Sequence, residues 1–241
     1  MINPTAAILV IGDEILSGRT RDANAHHLAV ELAKVGVDLK EIRVVPDDQD
    51  AIVSALNALR GTCTHVFTSG GIGPTHDDIT ADAVAAAFGV GIDIREDALA
   101  ALLTMYSRRG VEPNQEQLRM ARVPDGSRLI QTPRSGAPGF SVGNVHVMAG
   151  VPSIFRAMVE VLLPGLAQGT PRVVREVRFD VGEGRLAAPL GEIAADYPDL
   201  AMGSYPFAEE GIHGTNIVVK GHDAGRVDEA IARLRAAVMI D

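Results

Sequence analysis

Between Ala6 and Phe88 three short apolar runs alternate with three helix-length segments. Ala6 to Ile11, Asp38 to Val45 and Thr64 to Ser69 read as strands, while Asp22 to Val35, Gln49 to Arg60 and Ala81 to Phe88 read as helices. Strands separated by helices of this length pair in parallel, because each crossover returns the chain to the same end, and helices then cover both faces. The expected fold class is therefore α/β, a three-layer mostly parallel sheet. Ligands of such sheets sit outside the C-terminal ends of the strands. The polar residues fall at those ends: Gly12-Asp13-Glu14 after the first strand, Pro46-Asp47-Asp48 after the second, and T-S-G-G-I-G-P-T-H-D-D-I-T from Thr68 to Thr80 after the third.

The third segment carries most of the chemistry. Gly70, Gly71 and Gly73 let the backbone turn tightly after Ser69, and Thr80 is expected to cap the helix that follows. Backbone N–H groups facing outward at such a turn attract an anion, so Ser69, Gly70, Gly71, Gly73 and Thr75 are the expected phosphate cradle. Asp77 and Asp78 would repel a phosphate unless a cation lies between. Each unscreened carboxylate about 4 Å from a phosphate charge costs roughly 1 to 4 kcal/mol, so a divalent metal is implied, with Asp13, Glu14, Asp77 and Asp78 as its candidate ligands. Hard carboxylates suit Mg²⁺ or Mn²⁺, with Co²⁺ as a further candidate, and the lack of a cysteine cluster argues against structural zinc. Asp77 and Asp78 would also complement a helix dipole, and one of Asp47 and Asp48 is expected to cap a helix, with Asp47 assigned to function and Asp48 to the cap. His76, beside the acids, is a candidate to orient water or carry a proton. Asn24 either touches ligand or caps a helix, whereas His26 and His27 are adjacent on a helix and cannot both face one site.

Further on, Glu96 to Arg109 reads as a helix, and a second one opens at Glu112-Pro113-Asn114 and runs through Ala121 to a turn at Val123-Pro124-Asp125-Gly126. Arg134 to Gly139 reads as a second glycine and proline turn carrying a cation, which makes Arg134, Gly136 and Gly139 candidate phosphate contacts. Val145 to Met148 is a strand that leads through Ala149-Gly150-Val151-Pro152-Ser153 into a helix near Ile154 to Leu163, repeating the strand, glycine, helix-start arrangement and adding Gly150 to the candidates. Pro164-Gly165 and Gly169-Thr170-Pro171 suggest a boundary between a domain at 1–168 and a small α+β module at 169–241. The module is expected to hold strands at Val173 to Val181 and Ile217 to Lys220 and helices at Leu186 to Tyr197 and Arg226 to Val238.

A formal charge of −9 opposes binding to DNA or RNA but leaves room for a small anionic ligand. Cys63 is the only cysteine, so no intrachain disulfide can form and a reducing cytoplasm is the expected location. The first apolar run is too short for a membrane span and lacks the leading region of a signal peptide, so no membrane association is expected. Alanine-rich helices offer faces that can pack between subunits of a homo-oligomer, without distinguishing dimer from trimer.

Five ordered motifs carry a resemblance to a known family: I-G-D-E-I-L-S-G with D-A-N from Ile11 to Asn24, V-V-P-D-D from Val44 to Asp48, G-G-I-G-P-T-H-D-D-I-T, G-A-P-G-F from Gly136 to Phe140 and A-G-V-P-S from Ala149 to Ser153. Almost the whole chain resembles the molybdopterin-binding fold shared by molybdenum-cofactor adenylyltransferases and the competence/damage-inducible protein A group. The third segment, Q-L-R-M-A-R-V-P from Gln117 to Pro124 and M-G-S-Y-P from Met202 to Pro206 are most similar to the molybdopterin-binding-like region of eukaryotic FAD synthases. This resemblance implies a metal-dependent nucleotide pyrophosphatase, cleaving FAD to FMN and AMP or acting on a relative such as ADP-ribose. Molybdopterin adenylylation and non-catalytic retention of a pterin or nucleotide are the alternatives. The resemblance implies functional carboxylates at Asp78 and Asp47, and Asp77 and His76 beside them complete the candidate catalytic set. The usual acid after G-V-P is Ile154 here, a usual Gln is Met120 and a usual Asn is Thr132, departures that favour the FAD-like reading. Tyr205 would stack on a ring or fill a contact between domains.

Overall fold

The computed structural model describes residues 3–132, 135–209 and 211–239 and divides the chain into two compact units, Met1–Gly169 and Thr170–Asp241. In the first unit, β1 (Thr5–Ile11) leads through a short helix α1 (Asp13–Leu16) to α2 (Asn24–Lys34), β2 (Asp38–Val45), α3 (Gln49–Arg60), β3 (His65–Ser69) and α4 (Thr80–Phe88). Next come β4 (Ile92–Ile94), α5 (Glu96–Arg108), α6 (Gln115–Leu118), β5 (Arg122–Pro124), β6 (Arg128–Thr132), β7 (Ser135–Val142), β8 (Val145–Met148) and α7 (Pro152–Leu162). The main sheet has six strands in the order β2-β1-β3-β8-β7-β6. The first four run parallel, β7 is antiparallel to β8, and β6 is antiparallel to β7. The mostly parallel three-layer α/β architecture is thus present.

β1 lies inside the sheet because nearly every side chain is aliphatic, and Ala6 to Ile11 are buried without exception. Its residues alternate between two cores. Ala7, Leu9 and Ile11 meet Ile52, Leu56, Ala83 and Leu102 on one face, while Ala6, Ile8 and Val10 meet Leu28, Leu32, Phe155 and Met158 on the other. Burying each Leu or Ile contributes roughly 1.5 to 3 kcal/mol, so this strand anchors both layers. Asp48 caps α3 by accepting from the Ala51 amide at 2.9 Å, as the sequence suggested.

Three local expectations give way. Thr80 does not cap α4: its hydroxyl is buried and donates back to the Gly70 carbonyl at 3.0 Å, and the helix starts at Thr80 itself after Ile79. Ser135 to Gly139, read as a loop, belongs to β7. Gly139 needs its bare Cα because a Cβ would stand 2.4 Å from the Val147 carbonyl oxygen of the neighbouring strand, and Pro138 falls where the ladder skips from Ile130↔Gly139 to Thr132↔Ser135. A bulge there spares Pro138 the hydrogen bond that it cannot donate. Finally, β4 and β5 form a small separate antiparallel ladder that the sequence did not announce.

The second unit holds β9 (Val173–Phe179), α8 (Glu183–Asp196), β10 (Ala201–Glu209), β11 (Ile212–Gly221) and α9 (Ala224–Met239), with an antiparallel sheet in the order β10-β11-β9. Val177, Leu186, Ile193, Ile217, Val219 and Val227 form its core. β10, also unannounced, tolerates Gly203 and Pro206 because it is an edge strand. Tyr205 stands half exposed on it, opposite Asn216. Among the described residues no helix is long and apolar enough to cross a membrane.

A buried polar chain crosses β7, β8 and β3: Ser141 Oγ lies 2.9 Å from His146 Nδ1, and His146 Nε2 lies 3.3 Å from His65 Nδ1. Burial, aided by the charges of His65 and Arg128, pushes the His146 pKa from 6.5 down to about 3. A histidine whose folded pKa is depressed leaves the unfolded chain binding more protons between these values, so stability is intact above 6.5 and falls as the pH drops toward 3. Between about pH 7.5 and pH 4.5 the expected loss through His146 is about 3 kcal/mol. Urea unfolding at both pH values checks this: the native chain should lose more stability over the interval than a His146→Leu variant, and equal losses would contradict it.

Candidate active site

The ends of β1, β2, β3 and β8 and the turns that follow them form one edge of the sheet. Gly70 and Gly71 have φ of 110° and 68°, the left-handed region that glycine alone enters freely. A Cβ at Gly70 would stand 2.2 Å from the Ile11 carbonyl oxygen and one at Gly71 2.1 Å from Thr80 Oγ1. The turn is therefore both strained for other residues and filled by its neighbours. Gly150 lies against it, since its Cβ position is 3.2 Å from the Gly70 Cα.

Three carbonyls of these turns are held from behind. Thr80 Oγ1 donates to the Gly70 oxygen and the Thr80 amide to the Gly71 oxygen, each at 3.0 Å, while Asn24 Nδ2 donates to the Gly150 oxygen at 2.8 Å. In a planar trans peptide the C=O of one residue and the N–H of the next point in opposite directions. The amides of Gly71, Ile72 and Val151 must therefore face away from Thr80 and Asn24, and they donate to no protein acceptor among the described residues. Gly70, Gly71, Ile72, Gly73, Gly150 and Val151 all line a cavity of about 540 Å³. Two buried residues, through two side chains and one backbone amide, thus aim three backbone donors, the arrangement that receives phosphate oxygens.

Two carboxylates line the same cavity, Glu14 and Asp78. Asp78 Oδ2 accepts from the Thr75 amide at 2.8 Å and from Thr75 Oγ1 at 2.6 Å, which closes the loop between Gly73 and α4. Asp47 accepts from the Asp13 amide at 2.9 Å and so ties the end of β2 to the end of β1. Burial, and then the charges of Asp13, Glu14 and Asp77, push the Asp47 carboxyl above its usual range, although the Asp13 hydrogen bond opposes this. Four acids consequently share one field of negative charge that a bound cation would relieve.

The expected metal set of Asp13, Glu14, Asp77 and Asp78 is not assembled by the protein alone. Among the described residues no three His, Cys, Asp or Glu side chains stand close enough to hold an ion together. One Asp78 oxygen is engaged by Thr75, and Asp77 turns outward with 59% of its side chain exposed. His76 is 97% exposed, and its one ion-pair partner among the described residues is Asp77, at 4.0 Å, so it is not held against the cradle. Asn24 and Ser69 are buried and bonded to one another at 2.8 Å, and they support the turns rather than reach the cavity. Gly139 serves strand packing, while Gly136 and Ser135 lie in β7 beside α5. Arg134 lies outside the described residues.

The sequence reading missed the opposite wall. Met105, Tyr106, Arg109 and Met120 also line the cavity, brought there by α5 and by the turn before β5. The signal was present in α5: Leu102, Met105, Tyr106 and Arg109 continue one stripe at helical spacing, with a cation where an apolar residue is expected.

Residues 7–168 match the family described as probable molybdopterin binding domain, and residues 171–241 match the one described as FAD synthase, middle domain. A protein of Aeropyrum pernix is 33% identical over 217 residues, covering 86% of this chain and 81% of its own. One of Archaeoglobus fulgidus is 33% identical over 202 residues, covering 83% and 84%. Among solved structures, the protein CinA with unknown function from Thermoplasma acidophilum is similar at 33% identity and a TM-score of 0.62, over 67% of this chain and 97% of that one.

Proposed function

The chain belongs to the molybdopterin-binding, CinA-like family and carries a domain of the FAD synthase middle type, and on that footing we propose that it hydrolyses the diphosphate link of FAD or of a related nucleoside diphosphate compound such as ADP-ribose. The observation that carries this reading is the set of free amides at Gly71, Ile72 and Val151, aimed by Thr80 and Asn24 at one wall of a cavity large enough for a nucleotide. In this reading those amides bind the diphosphate oxygens and hold one phosphorus open to water.

Glu14 and Asp78, the two carboxylates on the cavity wall, would hold Mg²⁺ or Mn²⁺, which supplies neutralising charge for the departing phosphate. Mg²⁺ is ordinarily held by one or two carboxylates together with substrate phosphates, so the lack of a three-acid cage among the described residues fits an ion delivered with its substrate. Asp47 is the proton acceptor for the attacking water. The Asp13 amide fixes one of the Asp47 oxygens and leaves the other to accept the proton. Hydrolysis forms one bond from the water oxygen to phosphorus and breaks the bridging P–O bond, and AMP leaves on one side with FMN or ribose phosphate on the other.

The test is a product assay over FAD, ADP-ribose, NAD and ATP with Mg²⁺, Mn²⁺ or Co²⁺. AMP together with FMN from FAD, or with ribose phosphate from ADP-ribose, is the expected outcome. Tight binding with no turnover under any of the three metals would contradict it and leave a nucleotide-retaining module.

A further inference from the structure

The cavity with the free amides adjoins a second one of about 620 Å³ that is also lined by α5, and the two have Met105, Arg109 and Ser135 in common. Among the described residues Arg109, at the C-terminal end of α5, is the one cation that lines both cavities, and its guanidinium makes no ion pair or hydrogen bond with another of those residues. Arg95 and Arg122, by contrast, are paired with Asp97 and Asp82. Arg109 instead stands between two hollows, each of a size that normally encloses a whole small ligand. The second hollow differs in character from the first. It has no turn of free glycine amides; Ala100 and Thr104 of α5 line it together with Gln131, and Asp97 and Arg108 add one charge of each sign.

We propose that the two cavities take the opposite halves of a two-ended diphosphate ester, with Arg109 set against the anionic centre and the Ala100–Thr104 face receiving the half that lies beyond it. The proposal rests on the diphosphate reading above and adds to it the location of the second half and the residue that divides the two. A planar guanidinium suits this place, since it can donate two parallel hydrogen bonds to oxygens of one phosphate or bridge oxygens of two. A mononucleotide would leave the second cavity unused.

Binding distinguishes these cases without relying on turnover. Two probes serve, inorganic pyrophosphate and the αβ-methylene analogue of ADP-ribose, which cannot be cleaved between its phosphorus atoms; each is titrated calorimetrically into the full chain with Mg²⁺. Arg109→Gln is expected to weaken both probes on the order of tenfold or more, as loss of a charge-assisted hydrogen bond does. Thr104→Trp fills the second cavity from an exposed helix position and is expected to weaken the two-ended probe by a similar factor while leaving pyrophosphate unchanged. Ala100→Trp, one turn earlier on the same exposed face, should do the same and guards against misfolding of the first variant. If both tryptophan variants fold and hold the two-ended probe as tightly as the native chain, the proposal is overturned. A native chain that binds pyrophosphate but not the analogue overturns it as well while the cradle reading survives. Failure to bind either probe brings down both.

Discussion

Asp78→Asn is expected to lower turnover of FAD or ADP-ribose by roughly a hundredfold or more while changing stability by less than about 1 kcal/mol. The expected separation comes from what each atom of Asp78 does. Its Oδ2 accepts from the Thr75 amide and hydroxyl and so closes the loop after the glycine turn, a task that an asparagine oxygen can also perform. Its negative charge, facing the cavity, is what asparagine lacks. Asp78→Ala removes the acceptor and the charge together, so a loss of activity in that variant would not separate chemistry from loop collapse. Steady-state rates with Mg²⁺, set beside melting curves for native, Asn and Ala chains, make the comparison. An Asn variant as active as the native chain would remove Asp78 from the chemistry.

The second large effect is structural. Gly70→Ala is expected to cost about 3 to 5 kcal/mol, against about 1 kcal/mol for Gly18→Ala. Both glycines have positive φ, 110° and 73°, so both alanines pay backbone strain. Around Gly18 nothing lies within 4 Å of the new Cβ, whereas at Gly70 it would meet the Ile11 carbonyl oxygen at 2.2 Å. That oxygen belongs to the buried backbone of β1 and cannot swing away as a flexible side chain would. Urea denaturation of the two variants measures the difference. Equal costs would mean that the turn is looser than its contacts indicate, and with it the aim of the amides.

Much of the fold was legible because its elements are marked locally. β2, α3 and β8 begin and end where the apolar pattern starts and stops, bounded by glycine, proline or a capping acid. β7 and β10 were not legible, since Gly136, Pro138, Gly139, Gly203 and Pro206 are turn residues by local rule, and only the neighbouring strands show why they are tolerated. The site divides in the same way. The glycine turn of Gly70 to Gly73 and its partner at Gly150 are continuous in sequence with the strands that carry them, so strand, turn and helix start could be read together. Thr80 was noticed for the wrong reason: its position suggested a cap, and its actual partner is a carbonyl ten residues back. Arg109 and Met105 come to the cavity from another layer, and no local pattern specifies which hollow a helix end will face.

The expected cluster of metal-binding acids shows the limit of counting residues at strand ends. Topology brings Asp13, Asp47 and Asp78 to one edge, but the fold uses an oxygen of Asp47 and another of Asp78 for its own hydrogen bonds. Asp13 and Asp47 do follow the strand ends at which the sequence placed them. What each carboxylate does there depends on donors a few ångströms away, among them an amide of α1, a helix that the sequence reading did not contain.

The central claim is that Thr80 and Asn24 hold three carbonyls inward so that the amides of Gly71, Ile72 and Val151 are free to receive a diphosphate. Amide NMR of the full chain, titrated with the αβ-methylene analogue of ADP-ribose and Mg²⁺, reads those three N–H groups directly. They are expected to shift furthest and in step with one another as the probe saturates. Shifts concentrated elsewhere, with these three amides unmoved at saturation, would contradict it.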